Sequence, residues 1–255
     1  TRMMKLLEAE LNCKLFVRET RGIALTEEGK HLYTYVKDAV VHLEHAQEEL
    51  PVQIPDMGTV VIGATETALH LFLLEALHKF KEAYPKVSMK IQNHTTPEIL
   101  KNLASGSMDF AVLTTPFRLQ KTFASSELLT FQEILAGGSQ YEKLGAGKWQ
   151  IRQLKNYPWV GLSKGTATYE LYEQFFQQHQ MDLELDMEAA TSDLLIPLIQ
   201  NNFGIGFVPE MLAHPLLRKK ELVQIPLECR LPERKICLVF DKGRGRSVVS
   251  AKLQK

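Results

Sequence analysis

Val60-Val61-Ile62-Gly63-Ala64-Thr65-Glu66-Thr67 runs from an uninterrupted apolar stretch into a hydroxyl-rich turn. A short apolar run of this kind predicts a strand buried on both faces, the kind found in parallel sheets. Beyond the turn, Leu69, Phe72, Leu73, Ala76, Leu77 and Phe80 recur at helical spacing, predicting a helix over about 67–82 that Tyr84-Pro85 stops. The alternation Val87, Met89, Ile91 then predicts a second strand. Thr96-Pro97-Glu98 predicts an N-cap with proline at the first helical position, Gly106 closes that helix, and Asp109-Phe110-Ala111-Val112-Leu113 predicts a third strand. The unit is βαβαβ.

Working outward toward the C-terminus, a similar unit recurs. Trp159-Val160-Gly161-Leu162 predicts a strand, and Leu171, Tyr172, Phe175 and Phe176 mark one face of a helix over 168–179. Leu183 to Ala189 predicts another strand, and Ser192 is placed to cap a helix ending near Phe203-Gly204, ahead of Ile205-Gly206-Phe207-Val208-Pro209. Pro197 inside that helix is expected to kink or break it. Two α/β lobes are implied.

Working toward the N-terminus, Pro51 to Gly58 has the composition of a linker. Ahead of it, Leu32, Val36, Ala39, Leu43, Ala46 and Leu50 recur at alternating spacings of four and three, a heptad seam that wants a partner helix. The competing reading packs this helix on its own domain. Thr26 with Glu27 and Glu28 opens the helix, because carboxylates in the first turn complement its dipole. The segment 15–25, with apolar arms around a tip that includes Gly22, predicts a β-hairpin. Leu6, Leu7 and Leu11 lie on one face of a helix that begins at residue 1 without a capping residue, from which we expect further residues upstream. His42 and His45 offer only two ligands, so no metal is expected.

The chain has 255 residues, 45% apolar and 24% charged, and no stretch near the roughly 18 to 20 apolar residues of a membrane-spanning helix. Cys13, Cys229 and Cys237 are odd in number and lack CxxC spacing, which argues against a disulfide framework or zinc site and for a reducing cytoplasm. The formal net charge is zero, so any attraction to nucleic acid must be local. GxSxG, HExxH and GxxxxGK[ST] are all missing, and Gly204-Ile205-Gly206 lacks the third glycine of a dinucleotide fingerprint. Neither an enzyme nor a bound cofactor is expected.

Leu6-Leu7-Glu8-Ala9-Glu10-Leu11-Asn12-Cys13-Lys14-Leu15-Phe16-Val17-Arg18, then Arg21-Gly22, then Leu25-Thr26-Glu27-Glu28-Gly29, resembles the second half of the winged helix-turn-helix of LysR-type transcriptional regulators. The glycine usual after the Leu11 position is Asn12 here, a residue that also tolerates the left-handed conformation. The resemblance continues through Val61 to Thr67, Tyr84-Pro85, Gly106-Ser107-Met108-Asp109 and Gly204 to Pro209. It implies an α/β, two-lobed effector domain of the type 2 periplasmic-binding-protein kind, preceded by a long linker helix and part of a winged helix-turn-helix. The implied organisation is 1–25 for the end of the recognition helix and the wing, 26–50 for the linker and dimerisation helix, and 51–58 for a hinge. Residues 59–134 with 233–255 would form effector lobe I and 135–232 lobe II.

The same resemblance places Thr1, Arg2 and Lys5 on or near the groove-facing helix, and Arg18 and Arg21 on the wing, where cations meet phosphates. It implies double-stranded operator DNA, a small-molecule effector and RNA polymerase as partners, with homodimers assembling to homotetramers in the cytoplasm and no membrane contact. Exposed N–H groups at strand-to-helix turns make anion sites, so Thr65-Glu66-Thr67 and Ser163-Lys164-Gly165-Thr166 should face each other across a cleft. Thr95, Thr96, Thr114 and Thr115 would line its mouth, with Thr191 and Ser192 as second-lobe additions. The bland reading makes each hydroxyl a cap or turn residue. Lys164 and the two helix ends favour a small anionic effector, whereas Glu66 opposes one. Two rivals remain: a periplasmic-type binding protein without DNA binding, and a winged-helix protein without a ligand.

Overall fold

The computed structural model describes residues 2–19, 22–49 and 58–243, with backbone alone for 2, 18, 19 and 41–49. The chain divides into two compact units, one containing residues 1–54 and the other residues 55–104 and 108–255.

In the N-terminal unit, α1 (Arg2–Glu10) ends where Asn12 adopts φ 51°, the left-handed conformation that closes a helix. Glu8 ties the helix to the hairpin that follows, its carboxylate accepting from the amides of Leu15 (2.8 Å) and Phe16 (3.2 Å). Those amides, helped by Lys14, hold the Glu8 carboxyl below its ordinary range. β1 (Phe16–Glu19) and β2 (Gly22–Leu25) pair antiparallel, as the hairpin reading predicts. The Thr26 hydroxyl donates to Lys14 O and accepts from Gly29 N at 2.9 Å, which is the expected N-cap of α2 (Glu27–Glu49). Gly29 is required by close approach: a Cβ there would lie 2.1 Å from Leu15 O.

The larger unit begins with β3 (Gly58–Ala64), buried along five successive residues. Glu66–Ala68 (α3), a π-helical turn over Leu69–Leu73 and Leu74–Ala83 (α4) then follow one another without a break. β4 (Val87–Asn93), α5 (Thr96–Ser105) and β5 (Phe110–Thr114) complete the first βαβαβ unit. The helix cap is displaced by one residue from the sequence expectation. Thr95, not Thr96, is the cap, because Glu98 reaches back to the Thr95 amide (3.1 Å) and hydroxyl (2.7 Å). β6 (Phe123–Phe131) sits at the far edge, and the sheet order is β4-β3-β5-β12-β6, with β12 (Arg234–Asp241) antiparallel to both neighbours. Two apolar clusters cover its two faces, one around Val60, Ile62 and Phe110, the other around Val61, Ile99 and Leu113.

β7 (Glu133–Gly137) begins two residues after β6 ends, and the chain continues through α6 (Glu142–Gly145), β8 (Val160–Leu162), α7 (Ala167–Gln178) and β9 (Met187–Ala189). α8 (Leu195–Gln200), β10 (Gly206–Pro209), α9 (Glu210–Arg218) and β11 (Val223–Gln224) follow. One sheet has the order β10-β7-β11, and the parallel pair β8-β9 joins it through a Trp159–Ile205 bridge. The core is aromatic, with Tyr172 stacked on Phe207 at 4.1 Å between centroids.

Two sequence expectations change here. The strand expected over 183–189 shrinks to three residues. Leu183 and Leu185 do pack on the core, but the Asp186 carboxylate takes the Trp159 amide, so pairing begins only at Met187. Pro197 does not break its helix. A 3₁₀ turn over Ser192–Leu194 precedes α8, so Pro197 falls in the first turn, where a missing N–H is tolerated.

Candidate functional site

The carboxyl ends of β3, β5 and β8 open on a cavity of about 330 Å³. β3 has its parallel partners β4 and β5 on opposite sides, which makes its end the topological switch point where α/β sheets bind ligands. From the first lobe the lining comprises Thr65, Glu66 and Thr67 after β3, Asn93 to Thr96 with Glu98 around the start of α5, and Thr114 ending β5. From the second come Leu162, the α7 start at Thr166-Ala167-Thr168, and Ala190-Thr191-Ser192.

The hydroxyls do not all play the same part. Thr166 is consumed as the N-cap of α7, donating to Ser163 O (3.0 Å) and accepting from Tyr169 N (3.1 Å). Thr65 and Thr114 hydroxyls lie 3.5 Å apart. Behind them Arg234, 2% exposed, pairs with buried Glu133 at 2.9 Å and donates through Nη2 to the hydroxyls of Thr114 (3.3 Å) and Thr168 (3.0 Å). A hydroxyl that accepts from a guanidinium keeps its own proton to donate, so the floor of the cavity offers donors. Tyr172 in turn donates to Glu133, and burial first, then the Glu133 charge, push its phenol well above its ordinary range.

At the mouth, the Glu66 carboxylate accepts from Asn93 Nδ2 (2.8 Å), from the Ser192 amide and hydroxyl, and from the Asp193 amide (3.2 Å). The Thr67 hydroxyl adds a bond to Ser192 Oγ at 3.3 Å. Glu98 is a second carboxylate in the lining, held below its ordinary range by the Thr95 hydroxyl and amide.

Of the residues expected in the cleft, Thr65, Glu66, Thr67, Thr95, Thr96, Thr114, Thr166, Thr191 and Ser192 line it. Four do not. The Thr115 hydroxyl accepts from Lys235 N, Ser163 donates to Ala189 O, Gly165 occupies an exposed turn at φ 86°, and Lys164 leans over the Tyr169 ring. Since Lys164 motivated an anionic effector, that argument loses its cation. Asn93, His94, Glu98, Thr168 and the supporting Arg234 escaped the sequence reading. Only Glu98 carried a local signal, as the third residue after Thr95 in a capping box.

Among the residues expected at DNA, Lys5 is exposed on α1, Arg2 and Arg18 are described by backbone alone, and Thr1 and Arg21 lie outside the described residues. Along the seam, Leu32 is half-buried while Val36 and Ala39 are exposed. Leu43 and Ala46, like His42 and His45, have only their backbone described, and Leu50 lies outside.

Residues 55–253 match the LysR substrate binding domain, and residues 1–30 the bacterial regulatory helix-turn-helix protein, lysR family. A probable RuBisCO transcriptional regulator from Synechocystis sp. is 25% identical over 96% of this chain and 73% of its own length. The transcriptional dual regulator GltC of Bacillus subtilis is 25% identical over 96% and 81%. Among solved structures, the regulator CbnR superposes with TM-score 0.75 at 14% identity over 99% of this chain and 86% of its own. The effector binding domain of QuiR in complex with shikimate gives 0.67 at 13% identity over 78% and 94%.

Proposed function

This chain belongs to the LysR family of transcriptional regulators, and we propose that its regulation runs through a small polar effector bound in the cleft between the two lobes of the larger unit. The observation that carries this is the cavity itself, which sits at the switch point of the sheet and takes its lining from both lobes. A ligand touching both lobes has different affinity for open and closed forms, and only such a difference can shift the balance between them.

In the same reading, residues 1–25 supply the end of the recognition helix and the wing, with Thr1, Arg2, Lys5, Arg18 and Arg21 toward operator DNA. Residues 26–50 pair with a second copy, 51–58 form the hinge, and 59–134 with 233–255 and 135–232 form the two lobes. Dimers assemble to tetramers in the cytoplasm and act on RNA polymerase. The relatives are transcriptional regulators, which supports a regulator rather than an enzyme. The match of residues 1–30 to a helix-turn-helix family favours this reading over a periplasmic-type binding protein. Among the described residues, no helix is long and apolar enough to cross a membrane.

A thermal-shift screen of small polar metabolites tests the cleft. A ligand at 100 times its dissociation constant stabilises the folded state by about 2.7 kcal/mol. The expected result is a hit that Thr67→Ala weakens; a hit indifferent to every cleft substitution places the sensor elsewhere.

A further inference from the structure

We propose that Glu66 fills the anion-binding end of the cleft from within the chain, latching the lobes together and leaving room for an effector that carries hydroxyl or ammonium groups rather than an acid. The inference about the effector rests on the cleft being the effector site; the latch does not.

Glu66 belongs to the first lobe, yet three of its four hydrogen-bond donors belong to the second: the Ser192 amide, the Ser192 hydroxyl at 3.0 Å and the Asp193 amide at 3.2 Å. The fourth, Asn93 Nδ2 at 2.8 Å, orients the carboxylate from its own side. Asn93 meets Oε1, while the three second-lobe donors converge on Oε2, so a single carboxylate oxygen carries the contact between the lobes. Such charge-assisted bonds are the strong class, so the contact ties the second lobe to the first.

These donors are the ones a ligand acid would seek. A carboxylate brought to them must expel Glu66 and then lie near both its charge and that of Glu98. No lysine or arginine lines the cavity among the described residues, and the guanidinium behind its floor is already paired with Glu133. What remains besides His94 suits hydroxyls and ammonium groups: the Thr168 proton donates to a ligand oxygen, while Glu98 accepts from O–H or N⁺–H.

Chemical rescue in the full chain tests the latch without any effector. Glu66→Ala should lower the melting temperature by about 2–4 °C. Sodium acetate should restore it in that variant while leaving the wild type where sodium chloride of equal ionic strength leaves it. Glu66→Gln keeps the side chain's size and an acceptor oxygen for the second-lobe donors but loses the charge and turns its NH₂ toward Asn93; it should lower the melting temperature by less than Glu66→Ala and gain nothing from acetate. Ser192→Pro removes both Ser192 donors at a position where the preceding residue is already extended (Thr191 φ −136°, ψ 149°), so the backbone accepts it. Combined with Glu66→Ala, it should abolish the rescue. A Glu66→Ala protein that melts like wild type overturns the latch, as does acetate acting equally on both proteins. Saturable stabilisation of the wild type by simple carboxylates overturns the effector class alone. A cleft that binds no metabolite leaves the rescue untouched, so the two readings fail separately.

Discussion

Arg234 and Glu133 sit where the chain passes between the lobes, at the first residues of β12 and β7. Taking two charges out of water costs several kcal/mol per ion, and their attraction repays it only when the remaining donors are also satisfied. Arg234 largely meets that condition with four hydrogen bonds: Nε donates to Thr115 O at 2.8 Å, Nη1 to Glu133, and Nη2 to two threonine hydroxyls. Removing one partner strands the other, so Glu133→Leu or Arg234→Met should each cost about 3–5 kcal/mol in urea denaturation. The double change Arg234→Met with Glu133→Leu should recover most of that loss. Additive single effects would show that the two charges are not coupled. Tyr172 supplies a pH signature for the same network. Its phenol holds its proton in the folded state to well above the ordinary value of 10.0, so the unfolded chain releases that proton first. The stability this contributes is complete below pH 10 and is lost as pH rises beyond it. Tyr172→Phe should flatten the alkaline limb of the denaturation midpoint above about pH 10, and an unchanged limb would remove Tyr172 as its cause.

Helix α2 is 23 residues long, about 35 Å at 1.5 Å per residue, and bears apolar side chains left exposed among the described residues. Val36 is 47% exposed and Val40 46%. A second copy of the helix is the partner the seam anticipates, so Val36→Asp should dissociate the dimer, read by sedimentation velocity. A variant that sediments as wild type would return the seam to its own domain. Elements of this kind were legible because their determinants are local: a heptad repeat, a threonine cap, a left-handed residue at Asn12. The strand expected over 183–189 failed for a complementary reason. Alternation reports which side chains face a core, and Leu183 and Leu185 do face one, but pairing needs a neighbouring strand, and β8 offers only three residues. The Thr96 cap misplaced by one residue has a local cause too, since two adjacent threonines compete and Glu98 decides between them by reaching Thr95.

At the scale of the whole molecule, the strand-to-helix turns could be read from sequence, but which turn residues face the cavity could not. Thr65, Thr67 and Ser192 converge there because the strands end together, whereas Lys164 stands one residue beyond Ser163 and leans over its own helix. Arg234 carried no signal at all, because its partners lie 66 to 120 residues away along the chain. Charge is distributed in the same non-local way. Thirty basic and thirty acidic residues cancel within these 255 residues, so their overall charge does not attract DNA and any affinity they supply must come from placed cations. Phosphate contacts release counterions irrespective of sequence, so a non-specific duplex suffices to count them. If Arg18 and Arg21 each meet one phosphate per protomer, replacing both by alanine removes four contacts from a dimer. The slope of log affinity against log salt should then fall in magnitude by about 3.6, at roughly 0.9 per contact. Weaker binding with the original slope would mean the arginines shape the hairpin without touching the backbone, and the DNA contacts would have to be sought on α1, where Lys5 is exposed.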